Sequence, residues 1–254
     1  MTQAERIQAY LRATATAFYE AVPVPPFTAF FSATDPLRYL NYAIPDEPAG
    51  GDLTEPLETL REMFRSRGRL PRFEYVAGFA PELAASLDAA GFEVELDAPL
   101  MTCPHAEVVD PPSVPGLEIV AAANDPRAAI TVGNRSFGSP DAPEATDDEV
   151  EGWLARRSAA DGAALLGLLD GEPVAIASAA PPRDGLSEVA GVGVVEHARN
   201  RGIGSAMTAA AARGGAARGA ELLFLSPGSE AAQSIYRRVG FRPAERTLYY
   251  VDPA

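Results

Sequence analysis

Val192-Gly193-Val194-Val195-Glu196-His197-Ala198-Arg199-Asn200-Arg201-Gly202-Ile203-Gly204 is the most informative stretch of this 254-residue chain. It closes a valine-rich run, Glu188–Val195, whose β-branched composition predicts a buried strand. Beyond it, Ile203–Arg218 reads as a long Ala-rich helix, so a short loop joins a strand end to a helix start. Gly202 and Gly204 remove side chains where backbone N–H groups must face a ligand closely. Those groups, among them the amides of Ile203, Gly204 and Ser205, have the positive end of the helix behind them and make a site for a pyrophosphate. Arg199 and Arg201, on either side of Asn200, add full charges. A dinucleotide fingerprint does not fit: counted from Gly202 the third glycine position holds Met207, and counted from Gly191 it holds Glu196.

Working outward, strands and helices alternate. Leu117–Ala122 predicts a strand, and a helix follows from about Asp125 to Phe137. Thr146-Asp147-Asp148-Glu149 is a capping box opening a helix to about Arg157. Ala163–Leu169, the Asp170-Gly171 turn and Val174–Ala180 read as a hairpin. Gly214-Gly215 weakens the long helix, each glycine costing about 1 kcal/mol relative to alanine. Glu221–Leu225 reads as a buried strand, Glu230–Val239 as a helix and Arg242–Val251 as a final strand. Upstream, a helix over about 55–67, a strand Arg72–Val76, a helix Pro81–Ala90 and an extended Glu93–Met101 form a looser version of the same ending. Ala90-Gly91-Phe92 matches Val239-Gly240-Phe241, a weak internal similarity.

The Pro-rich patch Asp110-Pro111-Pro112-Ser113-Val114-Pro115 is the expected linker, giving domains 1–115 and 116–254. The chain is acidic overall, −14, and residues 1–115 carry 8 arginines against 17 acids. Within 116–254, the segment 196–246 is instead basic, with 8 arginines and 4 acids, as a bound anion would favour. The chain contains no lysine, which excludes pyridoxal Schiff-base chemistry and the Walker phosphate loop. One cysteine, Cys103, permits no intrachain disulfide. Cys103, His105 and His197 lack metal-ligand spacing, so no metal is expected. No G-x-S-x-G occurs, and Gly228-Ser229 lacks the context of a nucleophile elbow. The acidic balance argues against nucleic acid. The N-terminus has no apolar segment like a signal peptide, and Ala163–Leu169 is too short for a membrane span. A soluble, cytoplasmic protein without a membrane partner is expected.

Arg199-x-x-Gly202-x-Gly204 after a valine strand resembles the pyrophosphate loop of the GNAT acyl-CoA N-acyltransferases. Downstream, Ser229-x-x-Ala232-x-x-Ile235-Tyr236-x-x-Val239-Gly240-Phe241 is similar to the family's second motif. The resemblance covers 116–254 in element order. Glu196 stands where members often have proline, and Ser229 where many have a cofactor-facing asparagine. It implies an α/β (α+β) mixed-sheet fold in which the strand before the loop splays from its neighbour. The backbone of Val192, Gly193 and Val194 would pair with pantetheine, and the thioester would lie between Val192–Val195 and Glu221–Leu225. The implied activity is acetyl transfer from acetyl-CoA to a primary amine by direct attack in a ternary complex; the alternative is an acyl-CoA-binding regulator or partner protein without turnover.

The resemblance assigns Tyr236 as the acid that protonates the departing sulfur. Glu188, 11 residues before Arg199, stands where one branch keeps its base; a water chain is the alternative. Period-two geometry places Glu188, Ala190, Val192 and Val194 on one face. His197 reads as an exposed loop residue. The first part resembles a degenerate half, as in tandem GNAT proteins: Leu87 stands at the place of Tyr236, and no glycine loop precedes its long helix. Arg65-Ser66-Arg67-Gly68-Arg69-Leu70 follows a helix and reads as its C-terminus, capped by Gly68. This part is expected to form a wall of the acceptor pocket, with Asp35, Asp46 or Glu47 attracting a small cationic amine. A monomer or homodimer is expected.

Overall fold

A computed structural model describes residues 1–33, 38–158 and 163–253. The chain forms two compact units, 1–100 with 243–254, and 101–242.

The first unit begins with α1 (Gln3–Phe18), opened by a reciprocal capping box between Thr2 and Glu5. A meander β1 (Glu20–Val24), β2 (Phe27–Phe31) and β3 (Asn41–Pro45) follows, antiparallel throughout. Then come α2 (Thr54–Ser66), β4 (Arg72–Val76), α3 (Leu83–Ala89) and β5 (Glu93–Pro104). β4 lies parallel to β3 and antiparallel to the last strand of the chain, β11 (Arg242–Val251). Leu57, Leu60 and Phe64 recur at helical spacing on α2 and bury against Phe27, Phe73, Tyr75 and Phe92. Gly68 is the cap expected: its φ is +65°, Arg69 N–H donates to Phe64 O and Gly68 N–H to Arg65 O.

The second unit holds β6 (Leu117–Ala121), α4 (Pro126–Phe137), α5 (Asp147–Ser158), β7 (Ala163–Leu169), β8 (Glu172–Ala179), β9 (Leu186–Val194), α6 (Ile203–Ala216), β10 (Leu222–Leu225) and α7 (Glu230–Val239). Its strand order is β5-β10-β9-β8-β7-β6, with β10 parallel to β9 and the other neighbours antiparallel. The sheet is therefore mixed, as expected. Asp170 and Gly171 both take positive φ in the β7–β8 turn, and the Thr146–Glu149 capping box forms. Gly214 and Gly215 let α6 lie close on the sheet: a Cβ on Gly214 would come within 2.9 Å of Ala163 Cβ, and one on Gly215 within 3.0 Å of Leu223 Cδ1.

The expected cut at 115/116 falls inside the second unit. Ladder pairing, not proline content, sets the division. Met101–Pro104 pair with β10, whereas Thr247–Val251 pair with β4. The Pro-rich patch is tied down at its start, where Val109 N–H donates to Val239 O and Arg213 pairs with Asp110 at 2.7 Å.

Candidate active site

β9 and β10 pair only from Leu186/Leu222 to Glu188/Phe224. β9 then continues to Val194 with β8 as its one strand partner among the described residues. Parallel strands that part in mid-sheet leave backbone donors and acceptors along the gap.

A β-bulge shapes this gap. Ala190 opposes Ser178 and Gly193 opposes Ile176, so Gly191 and Val192 together oppose Ala177; Gly191 takes φ +61°. The extra residue breaks the period of two. Glu188, Ala190 and Gly193 share a face, and Val194 lies on the other. This corrects the expectation that Glu188, Ala190, Val192 and Val194 are aligned. Gly193 faces α4, where an added Cβ would be 2.7 Å from Ser136 Cβ and 3.1 Å from the Phe137 ring. Val194 Cγ2 lies 4.0 Å from the position of a Cβ on Gly204.

After β9, a 3-10 turn over Glu196–Ala198 leads to Asn200 at φ +62° and Gly202 at φ +85°. These left-handed positions swing the chain into α6. No side chain caps α6, and its bonding begins with Ala206 N–H to Gly202 O at 3.1 Å. The amides of Ile203, Gly204 and Ser205 thus stand ahead of the first intrahelical bond, as helix-start donors do. Arg199 is exposed, and its Nε donates to Val194 O at 3.0 Å, which holds it across the mouth of the gap.

A cavity of about 750 Å³ opens here. It brings together Val192, Gly193, Val194, Arg199, Asn200, Gly202, Ile203, Gly204, Ser205, Ser229 and Tyr236. Arg201 and Glu188 are not among its lining residues; Arg201 is exposed, and Glu188 is partly buried at the last position where β9 pairs with β10. Ser229 is the N-cap of α7, its Oγ accepting from Ala232 N–H at 3.2 Å. Tyr236 packs edge-on against Phe241 at 6.3 Å, and burial pushes its phenol above the ordinary tyrosine value.

Sequence reasoning missed Ser136 and Phe137, which close the α4 side of the cavity. Phe137 is 65% exposed and Ser136 Oγ is buried without a hydrogen-bond partner. The signal was Gly193, since a glycine inside a strand marks close approach of another chain segment. Arg238 was also missed. His197 is exposed as expected, beside Glu172 at 3.2 Å. Cys103 is buried, which pushes its thiol up to about 11. Among the described residues no group of three His, Cys, Asp or Glu could hold a metal, and no helix is long and apolar enough to cross a membrane.

In the first unit, Asp46 is engaged by Arg12 at 3.0 Å and by the Thr28 hydroxyl at 2.9 Å, so its charge is already matched. Glu47 is exposed, and Asp35 lies outside the described residues. Gly50-Gly51 does precede α2, with Gly51 at φ +76°, which corrects the expectation of no glycine loop there. Its surroundings are acidic, with Asp46, Glu47, Asp52 and Glu55 where the second unit has Arg199 and Arg201.

Residues 130–241 match the model of the acetyltransferase (GNAT) family. The chain carries a GNAT domain. The match runs from within α4 to just past α7 and so includes the whole cavity lining. The fold is similar over 100% of this chain and 97% of the other to a GCN5-related N-acetyltransferase from Kribbella flavida, with TM-score 0.82 and 28% identity. A GCN5-related N-acetyltransferase from Sphaerobacter thermophilus is 18% identical with TM-score 0.65, covering 89% of this chain and 76% of that one. A tandem GNAT protein from the clavulanic acid biosynthesis pathway is 14% identical with TM-score 0.64, covering 89% and 77%. The last two share the fold alone. No curated protein matches the chain. The family is one of N-acetyltransferases.

Proposed function

We propose that the GNAT domain transfers an acetyl group from acetyl-CoA to a primary amine of a small molecule, by direct attack within a ternary complex. The observation that carries this reading is the single cavity that joins parted strands, a glycine helix start and a tyrosine. The donor set fits the group. Uncapped amides of Ile203, Gly204 and Ser205 suit a pyrophosphate, and Arg199 at the gap and the exposed Arg201 add charge. The backbone of Val192, Gly193 and Val194 along the gap suits the amides of a pantetheine arm once Arg199, which donates to Val194 O, turns to the ligand. Ser229 lines the same cavity, although its Oγ already caps α7.

Bound acetyl-CoA supplies an activated thioester carbonyl. The chain then supplies a proton and a place to put one. Tyr236 Oη holds the proton needed by the departing thiolate, and the raised phenol value keeps it protonated through the neutral range. Glu188, or a water chain in its place, takes the proton of the attacking ammonium. An acidic chain favours a cationic acceptor, but screening limits that field to about 8–10 Å at physiological salt, so selection falls to the cavity walls. The competing reading is a cofactor-binding regulator without turnover.

A panel of amines, amino sugars and peptides, read by thiol release from acetyl-CoA, separates the two. One accelerated amine supports the enzyme; binding without any acceleration removes it. In the active case Tyr236→Phe, which keeps the ring packed on Phe241, lowers turnover about 10²–10⁴-fold with little change in cofactor affinity. Unchanged turnover removes the acid role.

A further inference from the structure

The first unit repeats the arrangement that opens the cavity in the second. An antiparallel meander, β1-β2-β3, meets β4 in parallel at one position only, Ala43 with Phe73. A helix, α2, joins the two strands, and α3 follows β4. α3 ends as α7 does: Phe92 N–H donates to Leu87 O and Gly91 N–H to Asp88 O, as Phe241 donates to Tyr236 O and Gly240 to Arg237 O. Both phenylalanines are buried. β3 and β4 therefore also part, and in this unit the gap is filled.

Gln8 of α1 fills it. The side chain is 2% exposed. Its Nε2 donates to the carbonyl of Pro45 on β3 at 3.4 Å, and its Oε1 accepts from the N–H of Val76 on β4 at 2.9 Å. One carboxamide thus bridges two parallel strands beyond their paired position at Ala43 and Phe73, using both of its functions. A smaller cavity of about 310 Å³ remains beside it, lined by Gln8, Arg12, Asp46 and Phe79 among others.

We propose that the first unit retains an amide-binding slot between β3 and β4 and that Gln8 occupies it as an internal ligand. The slot takes an uncharged amide, because the adjoining loop is acidic where a phosphate-bearing ligand would need cations. This side chain and the charge of the loop are two features that set the plugged slot of the first unit apart from the open slot of the second.

The test is hydrogen exchange at the Val76 amide in the full-length chain, with and without pantetheine, an uncharged diamide. Gln8→Ala opens the slot, so exchange at Val76 rises about tenfold, the change expected for one lost buried hydrogen bond, and pantetheine slows it again. Gln8→Met fills the slot without the hydrogen bonds; there Val76 exchange rises and pantetheine has no effect. The wild type does not respond at Val76, whatever binds to the second unit. If Gln8→Ala folds and pantetheine leaves Val76 unchanged, the slot is refuted. If Gln8→Ala does not fold, Gln8→Met decides: faster exchange supports the bridge, and wild-type protection at Val76 overturns it. Acetyl-CoA titration of the same variants keeps the second unit as a separate control, so loss of that binding reports on the proposed activity and not on the slot.

Discussion

Gly202→Ala and Gly204→Ala are the same chemical change two residues apart, and the loop geometry gives them opposite signs. Gly202 sits at φ +85°, ψ −7°, where an L-residue is strained by about 1–2 kcal/mol. A Cβ there would stand 3.4 Å from Val114 Cγ2, an ordinary contact that adds little. Stiffening of the unfolded chain returns about 0.4–1 kcal/mol, leaving a net loss of about 1 kcal/mol. In a chain of this size that lowers Tm by about 2–4 °C. Gly204 lies within the first turn of α6, and its Cβ would meet Ile235 Cδ1 at 3.5 Å. Alanine in a helix gains up to about 1 kcal/mol over glycine, so Tm holds or rises by as much as about 2–4 °C. Scanning calorimetry of the two variants beside wild type reads the difference. Gly202→Ala melting at or above wild type, or Gly204→Ala melting well below it, would refute the left-handed entry into α6.

Gly215→Val drives a side chain toward Leu223 Cδ1, 3.0 Å from the added Cβ, and Ser187 Oγ, 3.1 Å away; overpacking of about 1–3 kcal/mol lowers the denaturant midpoint, and an unchanged midpoint contradicts the close α6 packing. Cys103, buried with its thiol pushed up to about 11, stays unmodified by a thiol reagent at neutral pH until denaturant is added; rapid native labelling contradicts its burial. Burial pushes the Glu74 carboxyl above the ordinary glutamate value, with Glu95 adding to the rise and Arg72 opposing it. A raised carboxyl binds its proton more tightly in the folded state, so its stabilising share is present at low pH and is lost as pH rises from about 4.3. Glu74→Gln removes that loss while Arg72 keeps Glu95 at 2.6 Å, so the variant's Tm advantage grows from acid toward neutral pH; a flat or shrinking difference contradicts the raised value.

The elements of the second unit were legible because their signals are local. The capping box at Thr146, the Asp170-Gly171 turn and the glycine helix start each depend on residues within a few positions of one another. The same holds for Gly68 and for the paired Gly-Phe helix ends. Long-range pairing was not legible. Nothing in 101–104 or 247–251 states which strand each will join, so in the sequence the Pro-rich patch is the stronger boundary signal. The β9 bulge was hidden for a related reason: Gly191 marks it, but the count of residues opposing Ala177 exists only once β8 is alongside. α1 and the meander β1–β3 carry mixed polar and apolar residues without a clean period, and tertiary burial decides them. Gln8 in particular carries no local signal of its role, which exists only once Pro45 and Val76 are brought to it.

Titration calorimetry with acetyl-CoA, on wild type, Gly204→Ala and Gly204→Glu, reads the cofactor site at the start of α6. Saturable binding at one site per chain is expected of the wild type. Gly204→Ala, which adds a methyl at the close approach, weakens it, and Gly204→Glu, which sets a carboxylate among the amides that receive the pyrophosphate, abolishes it. No saturable heat from the wild type, or equal binding by Gly204→Glu, would contradict the assignment of the α6 start as the cofactor site.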